Sequence, residues 1–104
     1  VQVLERLIEK RTVAKAQKEF KITALKLNVA GRRGYPDRMF LIPGGKPFFI
    51  EFKRPGSVPT SLQSYTIKNL QNLGYDVEIH NNVEEALQAI GRRMEAARLP
   101  KTRG

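Results

Sequence analysis

Residues 34–55 read Gly34-Tyr35-Pro36-Asp37-Arg38-Met39-Phe40-Leu41-Ile42-Pro43-Gly44-Gly45-Lys46-Pro47-Phe48-Phe49-Ile50-Glu51-Phe52-Lys53-Arg54-Pro55. Two apolar runs, 38–42 and 47–53, flank Pro43-Gly44-Gly45-Lys46. Paired glycines between such runs predict a tight hairpin. Tyr35 precedes a proline, which disfavours helical geometry, so the chain enters the first run extended. The second run is apolar on both faces except at Glu51 and Lys53, a pattern that predicts a central strand. Two residues apart, Glu51 and Lys53 project from the same face. Two charges there are costly to bury unless paired with each other or bound to a metal.

Upstream of the hairpin, residues 22–29 alternate, with Leu25, Leu27 and Val29 on one side and Ala24, Lys26 and Asn28 on the other. That is the pattern of a half-buried strand. Residues 2–20 read as a helix, with Leu4, Leu7, Ile8 and Ala14 as its apolar stripe and Glu5 and Glu9 on one flank. Arg6, Lys10, Arg11, Lys15 and Lys18 make the rest of it basic, and Gly31-Arg32-Arg33-Gly34 forms a flexible basic loop.

Downstream, residues 54–59 are a loop, and Thr60 or Ser61 caps a helix that runs to Leu73 before Gly74 ends it. Its spacing predicts Leu62, Tyr65, Leu70 and Leu73 inward. Tyr75, Val77 and Ile79 alternate with Asp76, Glu78 and His80 as a fourth strand. Asn82-Val83-Glu84-Glu85 resembles a capping box at the start of a last helix built on Ala86, Leu87, Ile90 and Met94. The order αβββαβα predicts an α/β fold. A three-strand meander and a helical crossover give a mixed four-stranded sheet flanked by helices. Residues 1–94 are expected to form one domain, with a basic tail over 95–104 that frays from 98 onward.

A chain of 104 residues buries a modest core, roughly 65% of its unfolded surface. It has no cysteine, which removes disulfides, zinc-thiolate sites and thiol catalysis and fits a reducing, intracellular setting. No apolar run is long enough to cross a membrane. The net charge of +9 is unevenly placed. Residues 1–74 hold 14 basic and 5 acidic residues (14 − 5 = +9), while 75–104 hold 5 of each. The whole excess lies beside Asp37, Glu51 and Lys53, and a polyanion such as nucleic acid is the natural partner.

Two carboxylates and an ammonium on neighbouring strands are the minimum set for metal-assisted cleavage of a phosphodiester. Mg²⁺ takes oxygen ligands and keeps several waters, so one or two carboxylates plus the substrate phosphate suffice. Asp37 and Glu51 supply those, and the backbone carbonyl of Phe52 can complete the site. Lys53 can orient or deprotonate the attacking water, or stabilise charge building on phosphorus. His80, alone of its type, lies outside this region and reads as a strand-end residue.

Gly34-Tyr35-Pro36-Asp37-Arg38, then Phe49-Ile50-Glu51-Phe52-Lys53-Arg54-Pro55, then Gln63, resemble the virus-type replication-repair nuclease (VRR-NUC) domain. That family belongs to the PD-(D/E)xK nucleases, which have a restriction-endonuclease-like core, and the resemblance spans about residues 2–90. It implies an Mg²⁺- or Mn²⁺-dependent DNA endonuclease with Asp37 and Glu51 as metal ligands and Lys53 as the catalytic lysine. Gln63 matches the family's glutamine near the metal or its water. The family's acid on the first helix aligns best with Glu9, with Glu5 in reserve. Stand-alone viral and phage members are similar to Holliday-junction resolvases and act as homodimers on branched DNA inside the host cell. DNA contact is expected on Lys10, Arg11, Lys26, Arg32, Arg33 and Arg54, mainly to phosphates. Two other functions share these features: a binding module of the same fold without chemistry, and a nuclease that nicks or reads sequence.

Overall fold

The computed structural model describes residues 3–31 and 33–98. Its elements are α1 (Val3–Phe20), β1 (Ala24–Lys26), β2 (Arg38–Phe40), β3 (Phe48–Phe52), α2 (Ser61–Asn72), β4 (Asp76–His80) and α3 (Val83–Arg98). The sheet order is β1-β2-β3-β4. β1, β2 and β3 form an antiparallel meander, and β4 runs parallel to β3. The expected α/β architecture and element order are therefore present, with β3 inside the sheet.

β3 is the axis of the molecule because its apolar residues alternate across two covered faces. Phe48, Ile50 and Phe52 enter the main core with Phe40, Ile42, Ile22, Ile8 and three small helical residues, Ala16, Ala86 and Ala89. The alanines let α1 and α3 lie close to the sheet and to each other. Phe48 and Phe52 are almost fully buried, and truncating either to alanine would cost about 3–5 kcal/mol. Arg93 of α3 lies 3.7 Å over the Phe48 ring while pairing with Asp76 and Glu78. The opposite face of β3, carrying Phe49 and Glu51, is turned toward α2.

Several local expectations are corrected. β1 spans three residues rather than eight, and its inward side is that of Ile22 and Ala24, while Leu25 and Val29 are exposed. Lys21 has φ 58°, so the chain turns sharply off α1 and presents the Ile22 side of the strand to the core. In α1 the buried residues are Ile8, Glu9, Thr12 and Ala16, with Leu4 and Leu7 exposed. Thr12 satisfies its hydroxyl on the Ile8 carbonyl at 2.8 Å, and Glu9 finds cations. Such partners let polar residues take inward positions that hydrophobic spacing assigned to leucines. In α2 only Ile67 is buried; Leu62, Tyr65 and Leu73 are exposed. α3 continues to Arg98, four residues beyond the expected domain end, and residues 99–104 of the expected tail lie outside the described residues.

Candidate active site

Glu51 sits on the α2 face of β3 with 2% of its surface exposed. Its Oε2 accepts a hydrogen bond from Gln63 Nε2 at 2.8 Å and lies 3.3 Å from Lys53 Nζ. Its Oε1 is buried and accepts no hydrogen bond. Buried polar atoms nearly always have a partner, and a carboxylate oxygen without a donor is suited to a cation.

Asp37 is the residue before β2. Arg38 pairs with Ile50, so one further step of the same register sets Asp37 opposite Glu51. Its Oδ2 accepts the Phe52 N–H at 2.8 Å, and its own carbonyl accepts the Leu27 N–H at 3.0 Å. The acid is thereby tied to both neighbouring segments. Lys53, 8% exposed, donates its backbone N–H to the His80 carbonyl at 2.9 Å, which fixes it at the end of the β3–β4 ladder.

Electrostatics bind these groups into one site. Burial first, and the Asp37 charge next, push the Glu51 carboxyl up to about 7, against the pull of Lys53. Asp37 is also raised, mainly by burial, while the Phe52 N–H bond opposes the rise. A buried carboxylate and a half-buried one that oppose each other's ionisation are relieved by a divalent cation between them. The donor set thus fits Mg²⁺ or Mn²⁺: hard oxygens, one of them orphaned, beside a lysine. Among the described residues no group of three or more acids or histidines gathers, so the pair stands without a third protein carboxylate.

Gln63 has two tasks at once. Its backbone N–H donates to Thr60 Oγ1 at 3.1 Å and its side-chain oxygen accepts the Thr60 N–H at 2.9 Å, a full capping box. The same amide then gives its nitrogen to Glu51. Thr60-Ser61-Leu62-Gln63 matches the capping-box pattern, a signal that ties the α2 cap to the site and that the reading of Thr60 alone did not use.

Glu9 lies on the Asp37 side of the site, where its charge raises the Asp37 carboxyl. It is 5% exposed, and its Oε2 takes Arg38 Nε at 2.6 Å and Lys26 Nζ at 3.2 Å. It faces Asp37 across a cleft of about 400 Å³ lined also by Glu5, Arg6 and Lys26. Its carboxylate is engaged by cations, because Arg38 and Lys26 from two strands converge on it. Arg38 therefore holds Glu9 and the Ala24 carbonyl, a role that proximity to Asp37 in sequence concealed. Glu5 raises Glu51 through its charge, so the reserve acid of α1 is also within electrostatic reach of the pair.

Of the expected DNA contacts, Lys10, Arg11, Lys26, Arg33 and Arg54 lie on the surface, and Arg32 is outside the described residues. Lys26 is committed in part to Glu9. His80, as expected, closes a strand, its Nε2 lying 2.8 Å from Glu78 Oε1.

No family model matches the chain. Over 75 residues, 72% of this chain and 80% of the relative, it is 41% identical to "Putative nuclease p44" of Acyrthosiphon pisum secondary endosymbiont phage 1. Two solved structures share its fold. One, described as a VRR_NUC domain, has TM-score 0.75 and 21% identity, and the match covers 85% of this chain and 95% of that one. The other, a VRR_NUC domain protein, has TM-score 0.74 and 19% identity over 88% of each. With 41% identity over most of both chains, the chain belongs to the family of that phage protein, and it has the fold of the VRR_NUC domain structures.

Proposed function

We propose that this protein is a divalent-metal-dependent endonuclease that hydrolyses phosphodiester bonds in branched DNA, such as four-way junctions or flaps, and acts as a homodimer. The observation that carries the proposal is the buried Glu51 Oε1 without a hydrogen-bond donor, beside Asp37 and Lys53. A module that only bound DNA would gain nothing from a buried and a half-buried acid set side by side against a polyanion.

Asp37 and Glu51 would hold Mg²⁺ or Mn²⁺, with the Phe52 carbonyl as a further oxygen ligand. When bound, the ion would activate a water and neutralise charge on the scissile phosphate. The chain's own residues prepare that chemistry. Gln63 Nε2 holds Glu51 Oε2 and leaves the buried Oε1 without a donor. The Phe52 N–H holds one oxygen of Asp37 and leaves the other to ligate. Lys53 Nζ, anchored on Glu51, presents its other N–H donors to the attacking water and to the phosphate oxygens that gain charge. Burial keeps the carboxylates dry enough that they favour a cation over solvent.

The excess positive charge of residues 1–74 supplies phosphate affinity through Lys10, Arg11, Arg33 and Arg54, which gives little sequence preference. That favours recognition of DNA shape over base readout. A two-fold pair would set two sites for paired cuts across a junction, which one protomer with a long axis of 46 Å spans poorly. The test is cleavage of a panel comprising four-way junction, flap, linear duplex and single strand. Branched DNA should be cut with Mg²⁺ or Mn²⁺ and left intact with EDTA, while cutting in EDTA would overturn the mechanism.

A further inference from the structure

We propose that the groove between residues 33–35 and α2 is a binding site for an unpaired nucleobase of the strand being cut. The inference rests on the nuclease reading above and specifies what feature of a branched substrate the protein grips. The groove has a volume of about 460 Å³, and its walls include Arg33, Tyr35, Leu62, Tyr65, Thr66 and Asn69. Two aromatic rings, a cation and two hydrogen-bonding side chains are the chemistry that stacks a base, reads its edge and holds its phosphate. Tyr65 is 65% exposed and Leu62 is 48% exposed, so this surface is open to a ligand.

The groove is tied to the reacting groups by the chain itself. Tyr35 lies two residues before Asp37, and Leu62 adjoins Gln63, which holds Glu51. The loop is seated on α2 through Gly34, whose φ of 89° is strained for any other residue. A Cβ at Gly34 would come within 2.9 Å of Thr66 Oγ1, 3.0 Å of Leu62 Cγ and 3.1 Å of the Leu62 carbonyl. Close backbone contact therefore sets the groove wall and Asp37 in a fixed relation. A base seated there would belong to a nucleotide near the scissile phosphate, and a fully paired duplex has no base to offer.

Charge separates this occupant from a second copy of the chain. Arg33 is the charged residue among those lining the groove, so a second copy docking here by symmetry would oppose two cations, while a nucleotide phosphate is drawn in.

The test uses two DNA probes of equal length in EDTA, one with a single unpaired 2-aminopurine next to a branch and one fully paired. The intact protein should bind the unpaired probe about tenfold tighter and quench its fluorescence by stacking. Tyr65→Ala, at an exposed position that leaves the core untouched, should lose that preference and the quenching while binding the paired probe as before. Tyr65→Phe should retain both, and Tyr35→Ala should behave as Tyr65→Ala. Equal weakening of both probes, or no preference in the intact protein, overturns the groove. So does a dimer that dissociates on Tyr65→Ala, which would assign this face to a second copy. If Mg²⁺-dependent cleavage by the intact protein persists while the preference is absent, the groove alone falls; absent cleavage would count against the nuclease reading instead.

Discussion

Replacing Asp37 by asparagine should make the metal-free protein more stable while destroying its ability to bind a cation. Asparagine keeps an oxygen that can accept the Phe52 N–H, which Asp37 Oδ2 accepts at 2.8 Å, so the local geometry is retained. What changes is charge. The Glu51 carboxyl rises from an ordinary 4.5 to about 7, by burial first and by the Asp37 charge second. That rise is worth about 3 kcal/mol, at about 1.4 kcal/mol per factor of ten in proton affinity. Burial supplies the largest part and the Asp37 charge the next, and with solvent screening at the site mouth the loss of that charge is on the order of 1 kcal/mol. Because the folded carboxyl is the weaker acid, its contribution to stability is fully present below about 4.5 and lost as pH rises through 7. Asp37, also raised, acts in the same direction. The wild-type protein in EDTA should therefore lose stability from about pH 5 to 8, and Asp37→Asn should lose less. At pH 8 the variant should unfold about 4–8 °C higher, the shift expected for 1 kcal/mol in a domain of this size. The gap should shrink toward pH 5. Thermal unfolding followed by circular dichroism, with EDTA and then with Mn²⁺, reads all of this. Mn²⁺ at about a hundred times its dissociation constant should add about 2.7 kcal/mol to the wild type and far less to the variant. A wild-type melting temperature that is flat across this range, or a variant less stable at pH 8, would refute the shared field between the two acids.

Two further substitutions separate roles that the structure assigns. Gln63→Ala removes the side-chain half of the α2 capping box and the Glu51 brace, while Thr60 Oγ1 still accepts the backbone N–H of residue 63. It should lower stability by about 1–2 kcal/mol and weaken Mn²⁺ binding at least about tenfold, checked by denaturant melts and calorimetric titration; unchanged metal affinity would reduce Gln63 to a capping residue. Glu9→Gln leaves Arg38 without its carboxylate partner and should destabilise the fold by about 3 kcal/mol in EDTA and Mn²⁺ alike. Mn²⁺ should still stabilise this variant as much as it stabilises the wild type, and loss of that increment would make Glu9 a ligand.

β3 and the charged pair it carries were legible because charges in an apolar strand are rare and need a reason. Glu51 and Lys53 stood out for that reason, and Pro36-Asp37 before the neighbouring strand supplied the second acid. The rotation of the helices was not legible. Hydrophobic spacing on α1 and α2 pointed to Leu4, Leu7, Leu62, Tyr65 and Leu73, all of which face solvent. Inward positions went instead to Glu9, Thr12 and Gln63, whose partners come from elsewhere: Arg38 is 29 residues from Glu9, and Glu51 is 12 from Gln63. Periodicity measures apolarity along one element and carries no information about a partner on another strand. β1 misled for a related reason, since Leu25 lies on an edge strand and Val29 beyond its end, where alternation is not enforced by a covering layer.

Crystals soaked in Mn²⁺ and measured at its absorption edge give the most direct test, because the anomalous signal locates the ion without reference to activity. A single peak bound by Asp37 and by Glu51 Oε1, beside Lys53, is the predicted result. A peak at the Glu9–Glu5 cleft instead, or none at the Asp37–Glu51 pair under saturating Mn²⁺, would contradict it.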